Sequence, residues 1–175
     1  MQPLKIVALN TLAAIVYGIL HDQITARICV EYFTVAHAPL FVTDSVTLLA
    51  LFWGVIATWW LGLFSGVLLA IAARVGPLPK LTAMQLVKPI GALMLASATL
   101  ALCAGVTAYV LATQGGIELS STWQGVIPPH KHAAFLADAW AHNTSYLVGS
   151  LGSLILIAHT ISRRIRADAH KDRAI

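Results

Sequence analysis

Four long apolar stretches dominate the chain, and short polar connections separate them. The first runs over residues 3–20, the second over 46–73, the third over 86–113 and the fourth over 133–162, with a more polar first third in the last. Crossing ~30 Å of hydrocarbon takes about 20 mostly apolar residues in a helix, and each stretch meets or approaches that length. None alternates with the period of two expected of a half-buried strand. Lipid cannot satisfy backbone polar groups, so spans must be helices or closed barrels, and the pattern selects helices. The expected fold is all-α: a polytopic membrane protein with a four-transmembrane-helix bundle, forming one integral-membrane domain over residues 1–175.

The connections carry their own signals. Between the first two spans, Ile24, Ile28, Tyr32 and Val35 recur at spacings of four, four and three, a helical stripe. Outer segment 21–45 is therefore expected to hold either an amphipathic helical extension of the first helix or an interfacial helix. Ala38-Pro39 should end it, because the residue before proline resists the helical region. Gly76-Pro77-Leu78-Pro79 predicts a tight turn between spans two and three. In outer segment 114–132, Gln114-Gly115-Gly116 closes one helix and Pro128-Pro129 precedes the next. The N-terminal stretch lacks a small-residue cleavage site at its end and reads as an uncleaved span rather than a signal peptide.

Composition removes the competing classes. Hydrophobic residues make up 58% of the 175-residue chain and charged residues only 10%, with a mean hydropathy of +0.80. A soluble domain carries about 25% charged residues, so neither a soluble globular fold nor a disordered chain is compatible with this surface. The net charge of +4 is distributed as a topology signal. Lys5, Arg74, Lys80, Lys88, Arg163, Arg164, Arg166, Lys171 and Arg173 fall on one side of the predicted spans, and only Arg27 and Lys131 on the other. Basic residues collect in short cytoplasmic loops. The expected location is thus a cell membrane, multi-pass, with both termini and a tail at 163–175 in the cytoplasm; in a Gram-negative host this is the inner membrane. Nothing in this arrangement suggests a nucleic-acid surface. The two cysteines, Cys29 and Cys103, form no paired motif.

The remaining polar chemistry gathers on the outer face. Five of the seven histidines (His21, His37, His130, His132 and His142) fall there, as do five of the seven acids (Asp22, Glu31, Asp44, Glu118 and Asp138). Positive-inside sorting does not account for the histidines. His21 follows the last apolar residue of span one, and Asp138 and His142 lie near the same level, four residues apart on one helical face. Ser145, Gly149 and Ser153 continue a small-residue stripe that would press span four against span one.

Imidazoles and a carboxylate at one level suit a divalent metal: Zn, Fe, Cu or Mn. The predicted ligands are His21, Asp138 and His142, with His130 or His132 completing the set from a segment expected to be extended. His37 could join only if the chain folds back, since it lies 16 residues beyond His21, about 24 Å along a straight helix. That would require a bend near Gln23 to Ala26 or an interfacial helix. Glu31 or Asp22 would act as general base or orient a histidine, although Arg27 and Glu31 are spaced for an ordinary helical ion pair. Tyr32, Phe33 and Trp140 fit interfacial aromatics.

Several functions remain open at this point. One is a metalloenzyme acting on a lipid-linked or membrane-soluble substrate, with membrane lipid as its surroundings and a homo-oligomer as a compatible assembly. The others are a metal- or proton-handling transporter component, a b-type haem protein ligated by His21 and His142, and a non-catalytic accessory subunit. Against transport, the centres of spans two and three hold no acid, histidine or basic residue.

Overall fold

The computed structural model describes residues 1–40 and 42–172. Arg173, one of the basic residues of the expected tail, lies outside the described residues. The fold is all-helical, with no strand among the described residues. Helix α1 covers Gln2–Ile28, α2 Val30–Thr34, α3 Val46–Arg74, α4 Met84–Thr113, α5 Ser121–Gln124 and α6 His132–Asp172, with a 3-10 turn at Pro129–Lys131 just before α6. Four of these helices (α1, α3, α4 and α6) are long and apolar enough to cross a membrane. They pack as two tight pairs, α1 on α3 and α4 on α6. The pairs join more lightly, α3 against α6 and α1 against α4.

The tight pairs follow from small residues. On α3, Gly54, Gly62 and Gly66 face α1, where Gly18, Ala14 and Asn10 receive them. A Cβ at Gly18 would lie 2.5 Å from the Gly54 carbonyl oxygen, and one at Gly54 would lie 2.6 Å from the Ile19 backbone. Close approach lets a polar group be satisfied across the interface. The Asn10 side-chain amide donates to the Gly62 carbonyl and to Ser65 Oγ, both at 2.9 Å. Gly105 on α4 plays the same part against the Ala137 carbonyl and Ala141 on α6. The expected closest contact, α6 against α1, is therefore corrected. Ser145, Gly149 and Ser153 instead border a narrow central cleft between the pairs.

At the end bearing most of the basic residues, an apolar layer closes the bundle. Ile6, Leu69, Leu86, Ile90 and Leu156 pack together there. Arg164 on α6 is buried, and its guanidinium donates to the carbonyls of Ala72, Val75, Leu78 and Pro79. It thereby satisfies carbonyls that the end of α3 and the following turn leave open. The chain beyond residue 162 remains helical, so the expected tail is a continuation of α6 as far as the structure describes it.

At the opposite end α1 runs past residue 20 to Ile28 and then breaks. Cys29 is extended, with φ −145° and ψ 92°, and α2 sets off in a new direction. The break falls after the predicted bend region at residues 23–26. The stripe Ile24, Ile28, Tyr32, Val35 does not form one buried face: Ile24, Ile28 and Val35 are exposed, and Tyr32 turns inward.

The α1–α3 contact generates a prediction. Gly54→Ala places a methyl group against backbone, so overpacking should cost about 1–3 kcal/mol. Gly91→Ala meets open space in a helix interior, where alanine is favoured over glycine by about 0.5–1 kcal/mol. Thermal unfolding in detergent should show a lowered Tm for the first and an unchanged or raised Tm for the second. Equal Tm values for both would contradict this packing.

Candidate metal centre

The cluster forms where the last turns of α1 meet the early turns of α6. His21 and Asp22 are consecutive on α1, so their side chains diverge by about 100° around the helix. Asp22 is buried, and His21 is half-buried. His142 on α6 is also buried. One ligand atom from each of these three residues lies within 4.8 Å of the others. His142 Nε2 is 3.3 Å from Asp22 Oδ1, and His142 Nδ1 is 2.8 Å from the Asp138 carbonyl oxygen.

These two contacts fix the chemistry of His142. A carbonyl oxygen only accepts, so Nδ1 carries the proton and donates it. In the neutral ring Nε2 is then a lone pair, aimed at an acceptor oxygen of Asp22. Two facing acceptors call for a proton or a cation between them. An Nδ1–H donated to a backbone carbonyl is also how metal-ligating histidines are commonly oriented. His21 Nε2 is buried and has no hydrogen-bond partner.

Aromatic rings enclose the cluster. His21 meets His142 edge-on at 4.6 Å between centroids, and Tyr17 stacks on the other side of His21 at 5.7 Å. Tyr32 lies 4.5 Å from the His142 ring, and Phe33 lies 5.5 Å from it. The Tyr17 hydroxyl and Ser145 Oγ share a hydrogen bond of 2.6 Å. Neither the Tyr17 nor the Tyr32 role was drawn from the sequence. Tyr17 stands four residues before His21, the spacing that places both on one helical face, and this was the available signal.

The other predicted residues are placed as follows. Asp22, expected as a base, belongs to the three-residue group. Asp138 lies outside that group: its backbone carbonyl holds His142, while its carboxyl group is fully buried (0% exposed) with neither oxygen partnered. The Cys29 amide faces this carboxyl, but its hydrogen bond goes to the Thr25 carbonyl at 3.0 Å. His37 is carried back toward the cluster by the break at Cys29, yet stands behind the aromatic layer. Its Nδ1 bonds the Tyr32 carbonyl at 2.8 Å, and its ring packs on Trp53 at 4.7 Å.

His130 is exposed, and the His132 ring bonds the Ile127 carbonyl at 2.9 Å. The segment is a 3-10 turn rather than extended, so residues two apart face different sides, and this pair is not brought to one point. Glu31 is 3.9 Å from Lys131 and accepts from the Cys29 thiol at 3.3 Å. The expected Arg27–Glu31 pair does not form, because the break at Cys29 takes Glu31 off the helical face. Arg27 donates instead to Gln23 and Thr47.

Burial, and then the bond to Glu31, push the Cys29 thiol up to about 12. Burial likewise raises the Tyr32 hydroxyl above its ordinary value. Both groups stay protonated near neutral pH.

No family model matches the chain, and no curated protein and no solved structure matches it.

The buried thiol yields a prediction. In a Cys103→Ala background Cys29 is the sole thiol. An ordinary cysteine gains thiolate as pH rises through about 8.5. Cys29 in the folded protein should not, so its alkylation by a small maleimide should stay slow and nearly flat from pH 7 to 9. Unfolding in denaturant should restore both speed and pH dependence. A folded-state rate that climbs tenfold between those pH values would show that the thiol is not held as described.

Proposed function

We propose that this chain is a multi-pass membrane protein that binds one divalent metal ion through His21, Asp22 and His142 near the outer leaflet, with both termini cytoplasmic. In this reading it is a metalloenzyme acting on a lipid-linked or membrane-soluble substrate. The observation that carries it is the unresolved pair of acceptors, His142 Nε2 and Asp22 Oδ1 at 3.3 Å, with His21 within ligand reach.

The ligand set supports catalysis over structure. Three protein ligands leave a position open, as in catalytic zinc sites, whereas structural sites are closed by four. Two histidines and a carboxylate also form the set that holds non-haem iron(II). A bound ion of either kind would polarise a substrate oxygen or activate a water. The aromatic collar of Tyr17, Tyr32 and Phe33 limits water around such an ion and so strengthens its field. Glu31, tied to Lys131 and the Cys29 thiol, has no part in this reading. The orientation is supported by the basic residues at one end of the helices and the histidines at the other.

A haem between His21 and His142 is disfavoured, because the two rings touch edge-on at 4.6 Å and leave no gap for a macrocycle. Transport has one point in its favour: a cleft of about 60 Å³ descends from the cluster past Tyr17, Ser145, Ser65 and Ser97. That volume would hold a few waters, given that one needs about 10–15 Å³. Below Asn10 and Ser65, however, the apolar layer of Ile6, Leu69 and Leu86 blocks the way. A dead-end cleft suits proton or water supply to a site better than passage through it.

Metal analysis of the purified protein tests the proposal. About one Zn, Fe, Cu or Mn per chain is expected, and His21→Ala, Asp22→Asn and His142→Ala should each weaken binding by more than about tenfold. Asp138→Asn should retain the metal, since its backbone carbonyl, not its carboxyl, positions His142. Cobalt(II) titration provides a second readout through visible ligand-field bands. Stoichiometry below 0.1 in the wild type after reloading, or unchanged affinity in all three variants, would overturn the assignment.

A further inference from the structure

The light contact between α1 and α4 leaves a lateral groove of about 1000 Å³, at the upper end of the range for small-molecule sites. One wall is a ridge on α1 in which Leu12, Val16, Leu20, Ile24 and Ile28 repeat every four residues, all exposed. Leu95, Leu102 and Val106 of α4 form the other wall and are also exposed. Small residues, among them Ala98, Ala101 and Ala137, keep the space open. In a bilayer this groove would open sideways to lipid.

The groove is not uniformly apolar. His21 and Asp138 line it at the end nearest the cluster, and no lysine or arginine lines it anywhere. Asp138 is the group that demands a partner: fully buried, with two unpartnered oxygens. Leaving such a group unpaired costs the full penalty of its desolvation, so a buried unsatisfied carboxyl marks a place where a ligand atom belongs. From Leu9 to Thr25 the α1 wall runs about 24 Å at 1.5 Å per residue, long enough to lay an extended hydrocarbon chain beside it.

We propose that this groove binds a single-chain lipid alcohol, its tail along α1 and α4 and its hydroxyl donated to the Asp138 carboxyl, and that this lipid is the substrate class presented to the metal ion. Charge complementarity selects the head. A phosphate or carboxylate head seated at Asp138 would set one acceptor group against another, and no lysine or arginine lines the groove there. An ammonium head would face the divalent ion, a clause that rests on the metal-site reading above. An uncharged hydroxyl offends neither and supplies the missing donor. His21 borders both the groove and the ligand cluster, so a head held at Asp138 lies beside the site.

The test is equilibrium binding of a C16 series to the full-length protein in nanodiscs: 1-hexadecanol, hexadecanoic acid, hexadecyl phosphate and hexadecylamine. Hexadecanol should bind at least tenfold more tightly than the acid or the phosphate. Ala98→Trp, which fills the groove from an open position, should abolish binding while the metal content stays unchanged. Asp138→Asn should weaken hexadecanol at least tenfold, again with the metal retained. Indifference to the head, or binding that survives Ala98→Trp, overturns the proposal. So does efficient cross-linking between copies at an Ala98→Cys position in a chain whose native cysteines are replaced, because the groove is then an interface. Preference for the amine in a protein that also lacks metal refutes the metal reading and the choice of head together. Preference for the alcohol without metal refutes only the metal reading.

Discussion

The approach of α1 to α3 through glycine sets the geometry of everything else. Gly18 against Gly54, Ala14 against Gly62 and Asn10 against Gly66 bring the two backbones into contact along most of their length. Dispersion contacts of this density are the main attraction available between helices in lipid, where no hydrophobic force distinguishes a neighbouring helix from an acyl chain. The Asn10 amide fixes the register, because sliding by a turn would strand it away from the Gly62 carbonyl and Ser65. With the register fixed, Asp22 arrives at the level of His142. With α1 drawn to α3, its opposite face stands clear of α4, and the groove is the consequence. The cluster and the groove are therefore two results of one packing choice.

Much of this was legible in the sequence, and the reasons differ by element. Helix existence was readable because apolar runs of this length without a period of two form helices: the second expected span, 46–73, falls one residue short of α3, Val46–Arg74. Helix pairing was not. Ser145, Gly149 and Ser153 offered the same small-residue cue as Gly54, Gly62 and Gly66, and nothing in a single chain says which stripe meets a helix and which borders a cleft. The break at Cys29 left no trace either, since no glycine or proline stands there and the stripe through Ile24, Ile28 and Tyr32 reads straight across it. Its cause is tertiary: Cys29 is fully buried in a cluster with Leu119, Ile127 and Phe135, which draws the chain inward. The convergence of His21, Asp22 and His142 was foreseeable from depth alone, but the exchange of Asp138 for Asp22 was not, because rotation about a helix axis depends on the partner helix.

Arg164 shows how one residue type can carry two messages. By position it is one of several basic residues gathered at one end of the helices, the distribution that basic residues show in short cytoplasmic loops. Its burial reveals a second task, since its planar fork of donors reaches four carbonyls at the end of α3 and in the turn after it. A lysine has the charge but not the fork, so the two are not interchangeable here. Above this cap lies the apolar layer of Ile6, Leu69 and Leu86, and above that the polar cleft begins. The bundle is thus closed by apolar side chains at the basic end, and its unpaired imidazole and carboxyl, at His21 and Asp138, are displaced toward the histidine end.

That displacement bears on how a site could operate at this level. Burying a polar side chain without a partner is costly, and most buried polar side chains here have one: Asn10 with Ser65, Arg164 with the carbonyls after α3, His142 Nδ1 with the Asp138 carbonyl. Among the described residues, the unpaired exceptions with strong ligand character are His21 Nε2 and the Asp138 carboxyl. His21 lines the polar cleft as well as the apolar groove, whereas Asp138 lines only the groove. The imidazole of His21 therefore stands at the boundary between a compartment able to hold water and one able to hold a hydrocarbon chain. In the proposed reading a lipid and the water or protons of the cleft reach the site by separate routes, and both routes border an imidazole that can also ligate the ion.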